Sequence, residues 1–137
     1  MTDHIQTVQP PDWAPPKGYV NGMIAHGRTL YVAGQVGWNK ECVFESSDFV
    51  AQFAQALDNV LAVVTAAGGL PSHVVRMTVY ATDLTAYRDN LRSIGKVWKE
   101  RFGKHFPAMA LVGVAGLVEE GAKVEIEATA VLPPGAS

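Results

Sequence analysis

The sequence predicts an α+β domain in the order β-β-α-β-α-β-β. Two long stretches, 47–67 and 84–102, carry apolar residues at helical spacing, and five shorter runs carry β-prone or alternating residues. Two helices can cover only one face of the sheet that these strands would form, so the other face meets water or a partner. The 137 residues fall within the size of one ordinary domain, long enough to bury a core without disulfides.

Residues 1–18 hold Pro10, Pro11, Pro15 and Pro16 among polar residues, and proline lacks a backbone donor and fixes φ. This segment reads as an extended N-terminal arm resisting regular structure, with the domain running over 19–137. In "YVNGMIAHGRTLYVAGQVG" two β-prone runs, about 19–25 and 29–36, flank the turn-like "HGR" and read as a hairpin. From Ser47 to Ala67, Phe49, Phe53, Leu57, Val60 and Val64 form one helical stripe, with Ser46 or Ser47 as cap and Gly68-Gly69 as stop.

The next strand, "HVVRMTVYAT", places Val75, Met77, Val79 and Ala81 on one face and Val74, Arg76, Thr78 and Tyr80 on the other. The helix over 84–102 carries Leu84, Tyr87, Leu91, Ile94, Trp98 and Phe102 inward; Arg88, Arg92, Lys96 and Lys99 read as its solvated side. The last strands, "AMALVGVAG" and "KVEIEATAVL", are joined by the turn-like "VEEGA". In the second, Val124, Ile126, Ala128 and Ala130 face one way and Glu125, Glu127 and Thr129 the other.

The stretch "FPAMALVGVAGL", Phe106 to Leu117, is apolar on both sides, and a strand of that kind is normally buried on both. With helices on one side, a second subunit is expected on the other, which predicts a homo-oligomer.

A net charge of −2, from 11 basic and 13 acidic residues spread along the chain, offers no footprint for nucleic acid or anionic lipid. No apolar run approaches the roughly 20 residues that cross a bilayer, and "MTDHIQTVQPPDW" lacks the pattern of a signal peptide. The expectation is a soluble, cytoplasmic protein without a membrane or nucleic-acid partner. Cys42 is the single cysteine and reads as an incidental loop thiol. His4, His26, His73 and His105 are scattered without metal-ligand spacing, so no metal site is expected, and "AGQVG" reads as a tight turn or close backbone approach.

What remains is a carboxylate argument. Glu125 and Glu127 share one side of a strand expected near the middle of the sheet. A carboxylate in a partly apolar cleft between subunits suits proton transfer to or from a bound water. The competing reading pairs both glutamates with Arg76 or with an arginine of a neighbouring subunit.

From Tyr19 to Val131 the sequence resembles the Rid family of reactive intermediate deaminases, the YjgF-like proteins also called endoribonuclease L-PSP. The resemblance lies in "KGYVNG" for the family's Gly-Pro-Tyr-x-x-Gly start, "LYVAGQVG" for its Ser-Gly-Gln strand, "LDNVLAVVTAAGG", "VVRMTVYATD", "FPAMA" and "VEIEATA", in that order. It implies a chorismate-mutase-like fold assembled as a homotrimer, with ligand clefts at subunit interfaces. Active members hydrolyse enamine and imine products of pyridoxal-phosphate enzymes to a keto acid and ammonia, without metal or cofactor.

Residue by residue, the resemblance gives Glu125 the role of positioning or activating water and makes Tyr19 and Gly34 substrate-binding. The family's serine position is Ala33, and its carboxylate-clamping arginine is Met109. A thioether cannot imitate a guanidinium fork, and losing a charged hydrogen bond costs about 1.5–3 kcal/mol. With Ala33, Met109, Leu111 and Trp38 the cleft is expected to be more apolar than in the imine deaminases. Asn90 stands one residue from the family's asparagine position, which falls at Leu91.

Two functions fit. One is a Rid-like hydrolase of an enamine, imine or related small metabolite, with altered substrate preference. The other is a trimeric small-molecule-binding protein that kept the cleft and lost the chemistry. Ribonuclease activity is disfavoured, because the chain has no basic or aromatic RNA platform.

Overall fold

In a computed structural model that describes residues 2–135, four strands form the main sheet in the order β3-β6-β4-β5: β3 is Arg28–Val36, β4 Val74–Ala81, β5 Ala108–Gly113 and β6 Val124–Leu132. The inner strand β6 runs antiparallel to both β3 and β4, while β5 is an outer strand parallel to β4. Parallel neighbours need a crossover. Helices α2 (Leu84–Asp89) and α3 (Leu91–Phe102) supply it.

Helix α1 (Phe49–Ala66) and α3 lie on one face of this sheet. Phe53, Leu57, Val60 and Val64 of α1 meet Val124, Ile126, Ala128 and Ala130 of β6 in one buried cluster that also takes in Ile94, Trp98 and Phe102 of α3. At 18 residues and a mean hydropathy of 1.4, α1 is apolar enough to cross a membrane by length and composition. This corrects the expectation that no apolar segment approaches that length. In the fold its apolar stripe packs on the sheet.

Several sequence expectations change. The cap of α1 is Asp48, whose carboxylate accepts from the Ala51 amide at 2.9 Å; Ser46 instead braces the cap by accepting from the Asp48 amide at 3.0 Å. The helix expected over 84–102 breaks at Asn90, whose side-chain amide donates to the Ala86 carbonyl at 2.7 Å and competes with the backbone ladder. In β4 the register shifts between Val74 and Arg76, and this extra residue turns Val74 into the core, not away from it.

The expected hairpin does not form. Strand β2 (Gly22–Ala25) pairs with β1 (Ile5–Val8), inside the arm expected to lack regular structure. The arm's prolines begin only at Pro10, so Ile5–Val8 keeps its amide donors, and His4 fastens it by a 2.6 Å contact from its ring to the Val131 carbonyl. Nor do β5 and β6 pair, since β4 lies between them. In this chain the doubly apolar β5 is half-buried at Met109 and Leu111 on the helix side and at Ala108 where it begins; Ala110 and Val112 on the far side are exposed.

Candidate functional site

The sheet separates two regions, and the residues singled out in the sequence divide between them. On the helix side, the apolar residues of α3 and β5 leave a cleft of about 530 Å³ between them. Met109 and Leu111 form its floor, in register with Met77 and Val79 of β4. Tyr87, Leu91, Trp98 and Phe106 supply further walls. Trp98 is fixed by its indole N–H to the His105 carbonyl at 3.0 Å and stacks on Phe106 at 6.0 Å between ring centroids. Gly18, in the left-handed region at φ 71°, brings the end of the arm to this cleft and leaves the neighbouring Tyr19 about half exposed.

On the open side, Glu125 stands across from Tyr80 of β4, and Glu127 across from Thr78. The register of β3 against β6 shifts between Val32 and Gln35, so Ala33 and Gly34 lie in a bulge. Bulges commonly re-aim groups beside functional sites. Here the bulge brings Gly34 so close to Glu125 that a Cβ on Gly34 would overlap the carboxylate. Gly34 and Glu125 are therefore brought together. Met109 and Leu111 are brought together as well, on the opposite face of the same sheet.

The glutamates do not pair with Arg76 among the described residues. Arg76 lines a shallow depression of about 300 Å³ on the open face with Tyr31, Thr78, Glu127 and Thr129. Glu127 accepts from the Tyr80 hydroxyl at 3.1 Å, and this hydrogen bond is the main reason the Tyr80 phenol is raised above its ordinary value. Arg76 is also on the wrong face to replace the guanidinium absent at Met109. Glu125 is half-buried on an inner strand and approachable from the open side.

Trp38 lies outside both regions. Its ring packs on Phe44 at 5.6 Å, and its carbonyl accepts from Asn59 at 2.7 Å. Among the described residues no group of three or more His, Cys, Asp or Glu side chains is placed to hold a metal ion. Cys42 is exposed, with φ at 62° in the loop before α1.

Sequence reasoning missed two cations. Lys99, read as part of a solvated side, and Lys104, unremarked, both line the cleft that contains Met109. The signal was the short return: Gly103 ends α3 and the chain reaches the start of β5 within five residues, which keeps Lys104 beside the strand.

The family model for endoribonuclease L-PSP matches residues 11–132. The chain is 35% identical over 108 residues to the human 2-iminobutanoate/2-iminopropanoate deaminase, covering 78% of this chain and 75% of that protein. It is 35% identical over 116 residues to the Escherichia coli protein of the same name, covering 82% and 86%. Its fold is similar to the crystal structure of YyfB from Yersinia pestis, a Rid-family protein of unknown function, with a TM-score of 0.83 and 32% identity over 94% of this chain and 99% of that one.

Proposed function

The chain belongs to the endoribonuclease L-PSP family, which includes the Rid and YjgF proteins, and from that membership we propose that it is a cofactor-independent hydrolase of a reactive enamine or imine. The observation that carries the reading is Glu125, a half-buried carboxylate on an inner strand, held against the bare backbone of Gly34 in a chain similar to imine deaminases. Glu125 accepts a proton from water as the water oxygen bonds to the imine carbon and the C=N electron pair moves to nitrogen. The same carboxyl group then returns that proton to the nitrogen. As the C–N bond breaks, Glu125 takes the proton of the new hydroxyl and passes it to the departing nitrogen, leaving a carbonyl, ammonia and the regenerated carboxylate.

Because Met109 and Glu125 lie on opposite faces of one sheet, the complete site joins the cleft of one subunit to the Glu125 of the next. A homotrimer with interface clefts, as expected from the sequence, meets that requirement. Met109 removes the guanidinium that would clamp a small imino acid, so substrate preference shifts away from the smallest imino acids. A binding protein without chemistry is the second reading, and Met109 is the observation that favours it.

The test is hydrolysis of an imine generated in place from an amino acid, read as ammonia release, with wild type, Glu125→Ala and Met109→Arg. Release that falls at least about 100-fold in Glu125→Ala supports the hydrolase, in keeping with the usual worth of a general base. Release by wild type that is untouched in Glu125→Ala rejects the role of Glu125. Silence of every variant across small and bulky imines leaves the binding reading. Met109→Arg is expected to improve the smallest substrates.

A further inference from the structure

We infer that Lys99 and Lys104 serve as the carboxylate-recognition groups of the Met109 cleft, and that the cleft takes an aromatic 2-imino or 2-oxo acid, its ring against Trp98 and Phe106 and its carboxylate at the lysines. The inference rests on the cleft being the substrate site, as proposed above. Four observations carry it.

First, Lys99 and Lys104 are the only cations among the described residues lining the cleft, and no aspartate or glutamate lines it. A cleft with apolar walls and unopposed positive charge at its edge favours an amphipathic anion. Second, neither lysine is in an ion pair among the described residues. The neighbouring cation Arg101 is engaged with Asp58 at 2.7 Å and with the Val97 carbonyl at 3.1 Å. Lysine carries a point charge on a flexible stem, so it can meet a carboxylate without the fixed geometry that an arginine fork imposes.

Third, the cleft volume of about 530 Å³ matches the range that encloses drug-sized ligands. An imino acid of three or four carbons would leave most of its wall uncovered. Fourth, the wall is aromatic and held in place: Trp98 stacks on Phe102 at 4.3 Å and on Phe106 at 6.0 Å, and its N–H is already bonded to His105. Such rings gain most from an aromatic partner.

Calorimetry with stable probes tests this without requiring turnover. Wild type is titrated with 3-phenylpropanoate, its neutral amide and propanoate. The first is expected to bind at least about tenfold tighter than either of the others, the scale of one charged hydrogen bond or one buried ring. In the Lys99→Ala/Lys104→Ala double variant, 3-phenylpropanoate is expected to fall to the affinity of the amide, while the amide is unchanged. The charge-keeping Lys99→Arg/Lys104→Arg variant retains the preference and reports that folding is intact.

Equal affinity for acid and amide, equal affinity for 3-phenylpropanoate and propanoate, an unaffected double variant, or no binding at millimolar probe each overturns the inference. Failure of the two readings is distinguishable. Lysine-dependent acid binding without ammonia release from any imine removes the hydrolase and keeps the clamp. Ammonia release indifferent to both lysines keeps the hydrolase and removes the clamp.

Discussion

At the scale of single residues, the contact between Gly34 and Glu125 makes the sharpest statement. A side chain at position 34 would meet the Glu125 carboxylate first, the far end of a flexible side chain and not a backbone atom. Gly34→Ala is therefore expected to turn the carboxylate aside at little cost in stability, within about 1 kcal/mol of wild type, as for most surface changes. Ammonia release would fall with it, by about tenfold or more if the carboxylate is the base, since small misplacements of a catalytic group are costly. Urea unfolding measured beside the imine assay checks this. An unfolded Gly34→Ala protein, or a stable one with full activity, would show that the close approach serves packing alone. The sequence made both residues visible as candidates but not their contact, because the bulge that produces it is a register shift between β3 and β6, strands separated by most of the chain.

At the scale of elements, α1 does more than fill the core. Its Gln52 is buried, and its side-chain amide donates to the carbonyls of Ser46 and Gly121 at 3.0 Å each, while its carbonyl accepts from the Lys123 amide at 2.7 Å. One side chain thus ties the loop before α1 to the turn that leads into β6, two residues ahead of Glu125. Gly37 permits this packing, since a Cβ there would strike the Gln52 backbone. Gln52→Leu strips partners from three backbone groups, each worth about 1 kcal/mol or more when buried and unsatisfied. The expected loss is about 2–4 kcal/mol in denaturant unfolding; a loss below about 1 kcal/mol would mean that water replaces the amide. Helix α1 itself was legible because its apolar stripe runs over five turns. Strand β1 was not, because four residues give too short a pattern, and the break at Asn90 was not, because the periodicity continues across it. Which strands pair is set by contacts between distant segments, so neither the β1-β2 pair nor the place of β5 beside β4 could be read locally.

At the scale of the whole molecule, the sheet's uncovered face is where the assembly proposed above would form. Tyr31 on the outer strand β3 is 79% exposed, Ala110 and Val112 on the opposite outer strand β5 are open, and Glu125 lies between them on that face without a cleft of its own. The family resemblance implied that Met109 and Glu125 belong to one site; that they lie on opposite faces of one sheet follows from strand order, which no local pattern encodes. If one subunit supplies the cleft and the next supplies Glu125, two inactive variants can repair each other. Glu125→Ala leaves the cleft intact. Gly95→Phe is expected to fill it, because position 95 lines the cleft and a Cβ there meets nothing within 4 Å. Each pure variant is expected to be silent in the imine assay. Unfolded together and refolded as an equal mixture, about a quarter of the interfaces would join an open cleft to an intact carboxylate in a closed cyclic assembly, and activity should return to about that fraction of wild type. Sedimentation should meanwhile report a particle of three times the 14.7 kDa chain mass. A mixture that stays silent although wild type refolds to full activity would place cleft and carboxylate in the same chain, and the division of the site across the sheet would then have to be bridged by movement within one subunit.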